Sequence, residues 1–278
     1  MNDYILSVIL GIIEGITEFL PISSTAHLRI AEAWLNVDMS SGYWKMYTIV
    51  IQLGAILCLP VYFRERILKF LSTFRSAGWQ RHPLVLVAIA FVVTAVPAYL
   101  LSKAIGENLE NLRIMGFALL IGGIVMWFVD QLNRVRTERM EDMSFGQAVW
   151  IGACQILSAV FPGTSRSMAT IAAGQLAGMS RSAALEFSFF VSMPTMAAAT
   201  GYDLLKAVLG KGDNPVGVAQ IDAHGWVVLA IGFVVSFIVA YASVAWFMAW
   251  VRQRGFMPFA IYRILFGAVV LIYALRLP

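Results

Sequence analysis

Gly11–His27 reads GIIEGITEFLPISSTAH, and the fold follows from how this stretch sits in an otherwise apolar chain. Glu14 and Glu18 are spaced i, i+4, so a helix puts both carboxylates on one face. Pro21 has no N–H and biases Leu20 away from αR, which ends that helix. Ser23, Ser24 and Thr25 follow, each able to cap a second helix, and His27 falls just inside it. A second stretch answers the first: Gly152–Met168, GACQILSAVFPGTSRSM. Laid over without gaps, it pairs Gly11 with Gly152, Glu14 with Gln155, Thr17 with Ser158, Pro21 with Pro162, Ser23 with Thr164 and Ser24 with Ser165. After a seven-residue length change, Gln52 pairs with Glu186 and Pro60 with Pro194. The common order of these matches indicates an internal repeat.

The chain has 278 residues, of which 60% are hydrophobic and 13% charged, with a mean hydropathy of +0.78. Soluble domains carry about 25% charged residues, so this is an all-α polytopic membrane protein. The net charge of +4 does not indicate a nucleic-acid partner, because the basic residues fall in short loops and report topology. Cys58 and Cys154 lie in apolar segments and read as packing residues. No Cys/His cluster has zinc-ligand spacing. The N-terminus lacks a basic region before its apolar run and is not read as a cleaved signal peptide.

A spanning helix needs about 20 mostly apolar residues. Six segments qualify: Tyr43–Phe63, Leu84–Leu101, Arg113–Gln131, Ala183–Leu205, Gly225–Trp250 and Phe256–Leu275. Tyr4–Leu35 and Phe145–Gly178 are apolar too, but Pro and hydroxyl residues break each near its middle. Broken helices at membrane depth are tolerated where they are buried or line a cavity. Both therefore read as re-entrant hairpins. Arg64, Arg66, Lys69, Arg75 and Arg81 share one loop, Arg134, Arg136 and Arg139 another, and Arg252 and Arg254 a third. All three fall on one side, the cytoplasmic side by the positive-inside rule. The opposite loops carry Lys103, Lys206 and Lys211, and both termini are expected there. Each half is then one re-entrant hairpin plus three transmembrane helices. Three is odd, so the halves, residues 1–132 and 144–278 of a single integral membrane domain, form an inverted-topology repeat. Asn133–Asp142 is the junction, and Lys211–Ala223 an exposed outer loop. Small residues at Gly116–Gly123 and Ala197–Gly201 allow close helix packing and also offer a surface for a homodimer.

Carboxylates inside a membrane are costly and mark function. Glu14 and Glu18 on one face repel, and favour a hard divalent ion or a shared proton between them. In the second stretch Gly163, Thr164, Ser165 and Ser167 surround a helix start suited to an anion, with Thr170 one turn on. Arg166 adds a fork matched to phosphate oxygens; its alternative is a snorkel to the interface. His27, three residues beyond Ser24, is placed to act as acid or base towards a hydroxyl. Ser24 is a candidate nucleophile, with helix capping as its competing role, and Ser23 and Thr25 flank it. Gln52, Gln155 and Glu186 either orient the site or make interhelical hydrogen bonds. His82 and His224 lie in loops and read as solvated. Together these groups describe a phosphate site at membrane depth, which suits a substrate with a lipid tail and a phosphate head.

EGITEFLPISSTAH and PGTSRSMAT resemble the two signature regions of the bacterial undecaprenyl-pyrophosphate phosphatase family, also called the bacitracin-resistance protein family. The resemblance extends through IQLGAI and EFSFFVSMP over nearly the whole chain, with Ala26 standing where Gly is expected. It implies hydrolysis of undecaprenyl pyrophosphate to the monophosphate, recycling the lipid carrier for peptidoglycan synthesis in the bacterial cytoplasmic (inner) membrane. It also implies a divalent cation, Mg2+ or Ca2+, at Glu14 and Glu18, and nucleophile and acid/base roles for Ser24 and His27. Phosphate binding falls to Ser165, Arg166, Ser167 and Thr170. A site open to the extracytoplasmic side is expected from the outside-facing first hairpin. Two rivals remain at this level. One is a transporter or flippase of a polyprenyl phosphate lipid. The other, an acid-phosphatase-like enzyme, lacks its histidine, since none follows Ser165-Arg166 until His224.

Overall fold

In a computed structural model the described residues are 2–39, 41–74, 81–102, 105, 111–132, 135–208 and 221–276. Eleven α-helices run through them: α1 Asp3–Thr17, α2 Ser24–Trp34, α3 Gly42–Tyr62, α4 Arg64–Thr73, α5 Pro83–Leu100, α6 Leu112–Asp130, α7 Phe145–Val160, α8 Arg166–Leu176, α9 Arg181–Val208, α10 Ala223–Arg254 and α11 Met257–Arg276. Among the described residues the only extended pairing is a single parallel bridge between Thr137 and Met179. Five helices, α3, α5, α6, α10 and α11, are long and apolar enough to cross a membrane, and the chain is a multi-pass membrane protein. The sixth expected span, Ala183–Leu205, is the core of α9. It carries Glu186, Ser188, Ser192 and an internal Pro194 and is the least apolar of the long helices. Its residues from Ala183 to Val191 are nearly all buried against other helices, so its polar groups face protein.

Each broken stretch is a helical hairpin. α1 ends at Thr17, whose hydroxyl donates to the Ile13 carbonyl at 2.7 Å. Phe19–Ile22 turn the chain, and Ser23, at φ 73°, caps α2 by accepting from the Ala26 amide. α7 starts with a capping box between Ser144 and Gln147 and ends at Val160. Gly163 and Ser165 turn the chain with φ of 93° and 66°, and Ser165 caps α8. The two caps are therefore Ser23 and Ser165. This is one residue off the gapless alignment that pairs Ser24 with Ser165.

Hydrogen bonds show which element ends lie together. Tyr43 donates to the Gly225 carbonyl and His224 contacts Asp3 and Tyr4, so the starts of α1, α3 and α10 share one end. At the other end Arg181 pairs with Asp130, Arg66 with Glu141 and Glu186, and Gln147 donates to the Ala177 carbonyl. The Phe256 amide also donates to Asp130, so the segments after α3, after α6 and between α10 and α11 meet there, which brings the described parts of the three basic loops to one end. Arg75, Lys103, Arg134 and Lys211, with the loop around Lys211, lie outside the described residues. α6 packs most extensively on α11, and α3 and α1 both pack on α10, while α5 packs on α7.

Two expectations are corrected, and one, the close packing at Gly116–Gly123, is borne out. The basic loop after α3 contains a helix, α4, not anticipated from its charge. Gly116, Gly123 and Gly267 face the α6–α11 contact, where a Cβ would meet Leu271, the Ala260 carbonyl or the Leu120 amide. The Gly116–Gly123 stripe is therefore occupied within the chain. His82 is 1% exposed and caps α5 through its Nδ1, packed beside Phe74. His224, by contrast, is on the surface. Cys58 and Cys154 are free thiols in the apolar packing.

Candidate active site

The hairpin tips meet at Glu18. Its Oε2 accepts the Ser24 hydroxyl at 2.5 Å, and its Oε1 accepts Nη2 of Arg166 at 2.7 Å. The Glu18 and Arg166 side chains are 4% and 15% exposed. One carboxylate from the first hairpin thus joins a hydroxyl of the same turn to a guanidinium of the second. The local sequence explains the alignment. Ser23 takes the cap and leaves Ser24, the first residue of α2, free to reach back six residues to Glu18.

Glu14 sits one turn earlier on α1 and is in a different state. Both of its carboxylate oxygens are buried and accept from no donor group, with the carboxyl of Glu18 as their neighbour. A bare buried carboxylate is costly unless a cation or a proton satisfies it, so the i, i+4 pair is chemically split. Among the described residues no three His, Cys, Asp or Glu side chains converge as a metal cage. Two carboxylates, one with both oxygens open, still form a donor set for a hard cation whose other ligands are substrate oxygens and water.

His27 points elsewhere. Its Nδ1 lies 2.7 Å from the Ser23 carbonyl and its Nε2 2.7 Å from the Tyr262 hydroxyl. Its ring stacks on Phe266 with centroids 4.3 Å apart. Nδ1 must carry the proton to donate to the carbonyl, which leaves Nε2 to accept from Tyr262. The carboxylate of Glu18, and not His27, is the group that bonds Ser24.

The second motif divides as well. Arg166 Nε and Ser167 Oγ are buried and unpartnered, so two donors remain open in the first turn of α8. Thr170 is occupied in packing, with its hydroxyl 2.6 Å from Ser188 and bonded to the Arg166 carbonyl. Thr164 lines an apolar groove between α6 and the second hairpin, with a cavity of about 510 Å3 walled by Phe117, Ile121, Leu157 and Met168. Thr25 is exposed on the outer face of α2. The three residues expected to orient the site are remote from Glu18 in their bonding. Gln52 accepts from Thr200, Gln155 donates to Thr195, and Glu186 is held by Arg66.

Arg263 is the residue that sequence reading missed. It is 0% exposed in the middle of α11, and donates to the carbonyls of Pro21, Ala118 and Gly163 at 3.1 Å each. A lone arginine in an apolar span is itself a functional signal.

The chain is similar to known proteins over nearly its whole length. An undecaprenyl-diphosphatase of Koribacter versatilis (strain Ellin345) is 61% identical over 99% of this chain and all of its own length. One of Rhizobium etli (strain CIAT 652) is 43% identical over 97% of this chain and 96% of its own. One of Thermus thermophilus is 38% identical over 97% of each. Residues 7–269 match the family described as bacitracin resistance protein BacA. The match reaches into both hairpins and every span, so the chain belongs to the bacitracin resistance protein BacA family.

Proposed function

We propose that the chain is an undecaprenyl-diphosphatase: it hydrolyses undecaprenyl diphosphate to undecaprenyl phosphate and inorganic phosphate, recycling the lipid carrier for peptidoglycan synthesis and conferring bacitracin resistance. The relatives' shared activity supports this. The observation that carries it is Glu18 joining Ser24 to Arg166 across the two tips. Phosphoryl transfer needs a positioned nucleophile and neutralised phosphate oxygens, and this junction provides both.

The reaction proceeds from Ser24. Glu18 takes its proton as Oγ attacks the terminal phosphorus; the new O–P bond forms while the bridging P–O bond breaks. The electron pair leaves on undecaprenyl phosphate. Arg166, released from Glu18, holds the equatorial oxygens with its Nε and with Ser167, whose donors are open. Water then hydrolyses the phosphoserine, with Glu18 returning the proton. A divalent cation, Mg2+ or Ca2+, fits beside Glu14 and Glu18, and supplies charge neutralisation to the diphosphate when bound. The groove at Thr164 receives the first part of the lipid tail. His27 fixes the Ser23 turn through its Nδ1.

The architecture proposed is an inverted-topology repeat of two re-entrant hairpins in the bacterial inner membrane. Its support is that the hairpins start at opposite ends and that each packs on the other half, α1 on α10 and α7 on α5. The basic end is assigned to the cytoplasm, so the first hairpin opens the site to the extracytoplasmic side. The test is phosphate release from undecaprenyl diphosphate by purified protein, with Ser24→Ala alongside. Release that Ser24→Ala loses is expected. Movement of intact lipid without phosphate release would replace the proposal with a flippase.

A further inference from the structure

Arg263 lies seven residues into α11, about 10 Å of helix rise from its start. Its guanidinium is too deep to snorkel, and no carboxylate pairs with it among the described residues. Three backbone carbonyls surround it instead. Pro21 precedes Ser24 by three residues, and Gly163 precedes Arg166 by three. Ser24 and Arg166 are the two groups that converge on Glu18. The bonds therefore close a ring: Arg263 to Pro21, along the first turn to Ser24, across Glu18 to Arg166, and back along the second turn through Gly163 to Arg263. The third carbonyl, that of Ala118, ties the ring to α6. Gly122, one turn on, leaves the slot for this guanidinium: a Cβ there would collide with Nη2 and lie 2.6 Å from Met168 Cε. Gly163 is held as tightly, with φ 93° and a Cβ position 2.5 Å from the Met115 carbonyl.

We propose that Arg263 is a positioning residue for phosphoryl transfer: by holding the carbonyls of both hairpin turns with one planar fork, it sets the spacing of Ser24, Glu18 and Arg166. The role rests on the phosphatase reading and reaches the substrate only through those residues. A planar fork with donors on two edges suits carbonyls approaching from different helices. The ammonium of a lysine is a point charge on a flexible stem and does not span them. A misplacement of about 1 Å remote from the chemistry costs on the order of 100-fold in rate.

The experiment measures kcat and KM for phosphate release in Arg263→Lys, Arg263→Gln and Gly122→Ala, each normalised to the folded fraction. Both Arg263 variants are expected to lose at least tenfold in kcat with KM within about threefold. Gly122→Ala, which displaces the guanidinium and keeps its charge, should move kcat in the same direction and decides the matter if the Arg263 variants do not fold. A kcat within twofold of wild type overturns the proposal. So does a raised KM at unchanged kcat, which means substrate contact, or full activity in Arg263→Lys, which means charge alone. A wild-type protein that releases no phosphate refutes the phosphatase reading instead. The clamp is then judged by maleimide labelling of Thr164→Cys in a Cys154→Ser background. Labelling at least threefold faster with Arg263→Lys supports it, and an unchanged rate overturns it.

Discussion

Glu18→Gln is the most informative single change, because one carboxylate holds two partners. Gln has the same size and can still accept from one of them, but it carries no charge. Arg166, 15% exposed with its Nε already unpartnered, is left as a buried cation without a counter-charge. Breaking a buried ion pair from one side costs about 3–5 kcal/mol; with the residual acceptor, about 2–3 kcal/mol is expected here. For a chain of this size that lowers the apparent melting temperature by roughly 5–10 °C. Loss of the base towards Ser24 should lower turnover by about 10²–10⁴-fold. Stability and activity then separate in the double variant. Glu18→Gln with Arg166→Met removes both charges, so more than half the lost melting temperature should return while turnover stays abolished. The assay pairs thermal unfolding in detergent with phosphate release. A Glu18→Gln protein that melts within 2 °C of wild type and turns over within tenfold, or a double variant whose losses simply add, refutes the junction as the centre of the site.

Three further outcomes are expected. His27→Phe keeps the stack on Phe266 and loses both ring hydrogen bonds, so it should cost stability but less than about tenfold in kcat, and a far larger loss would restore His27 as the proton carrier. Glu14→Gln should abolish the upward melting shift that Mg2+ or Ca2+ gives the wild type, a shift worth about 2.7 kcal/mol at a hundredfold excess over Kd; a retained shift places the cation elsewhere. Gly163→Ala meets the Met115 carbonyl and must adopt φ 93°, so it should destabilise by about 1–3 kcal/mol, measured by thermal unfolding.

Long apolar runs made the spans legible: Tyr43–Phe63 became Gly42–Tyr62 and Leu84–Leu101 became Pro83–Leu100. The broken stretches were legible for the opposite reason, since Pro and hydroxyls interrupt an otherwise uniform pattern. What the pattern does not contain is direction. Three adjacent hydroxyls are equal candidates for a cap until the backbone puts Ser23 at φ 73°, which decides that Ser24 faces Glu18. The aim of His27 depends on Tyr262 and Phe266, more than two hundred residues away. Glu14 and Glu18 share a helix face, yet Ser24 and the second hairpin's Arg166 bond only Glu18. Arg263 is readable as a charge in an apolar run, but its partners, the carbonyls of Pro21, Ala118 and Gly163, are named by nothing near it in the chain.

The site belongs to neither half of the chain. α1 packs on α10 and α7 on α5, so each hairpin is held largely by spans from the other half, although α8 also packs on α9 and α1 on α3. The two turns share a backbone device, a serine cap at positive φ, but their side chains have diverged. Glu14 aligns with Gln155, a carboxylate against an amide whose nitrogen bonds Thr195 and whose oxygen, like those of Glu14, is buried without a donor. Ser24 and Glu18 on one turn face Arg166 on the other. Two similar turns thus meet at one point, and differences at a few positions put a hydroxyl and a carboxylate on one turn and a guanidinium on the other. Arg263 belongs to neither turn. It comes from the last helix alone and bonds both turns at the equivalent distance from their functional groups, which is why a change there should alter the rate before it alters the affinity.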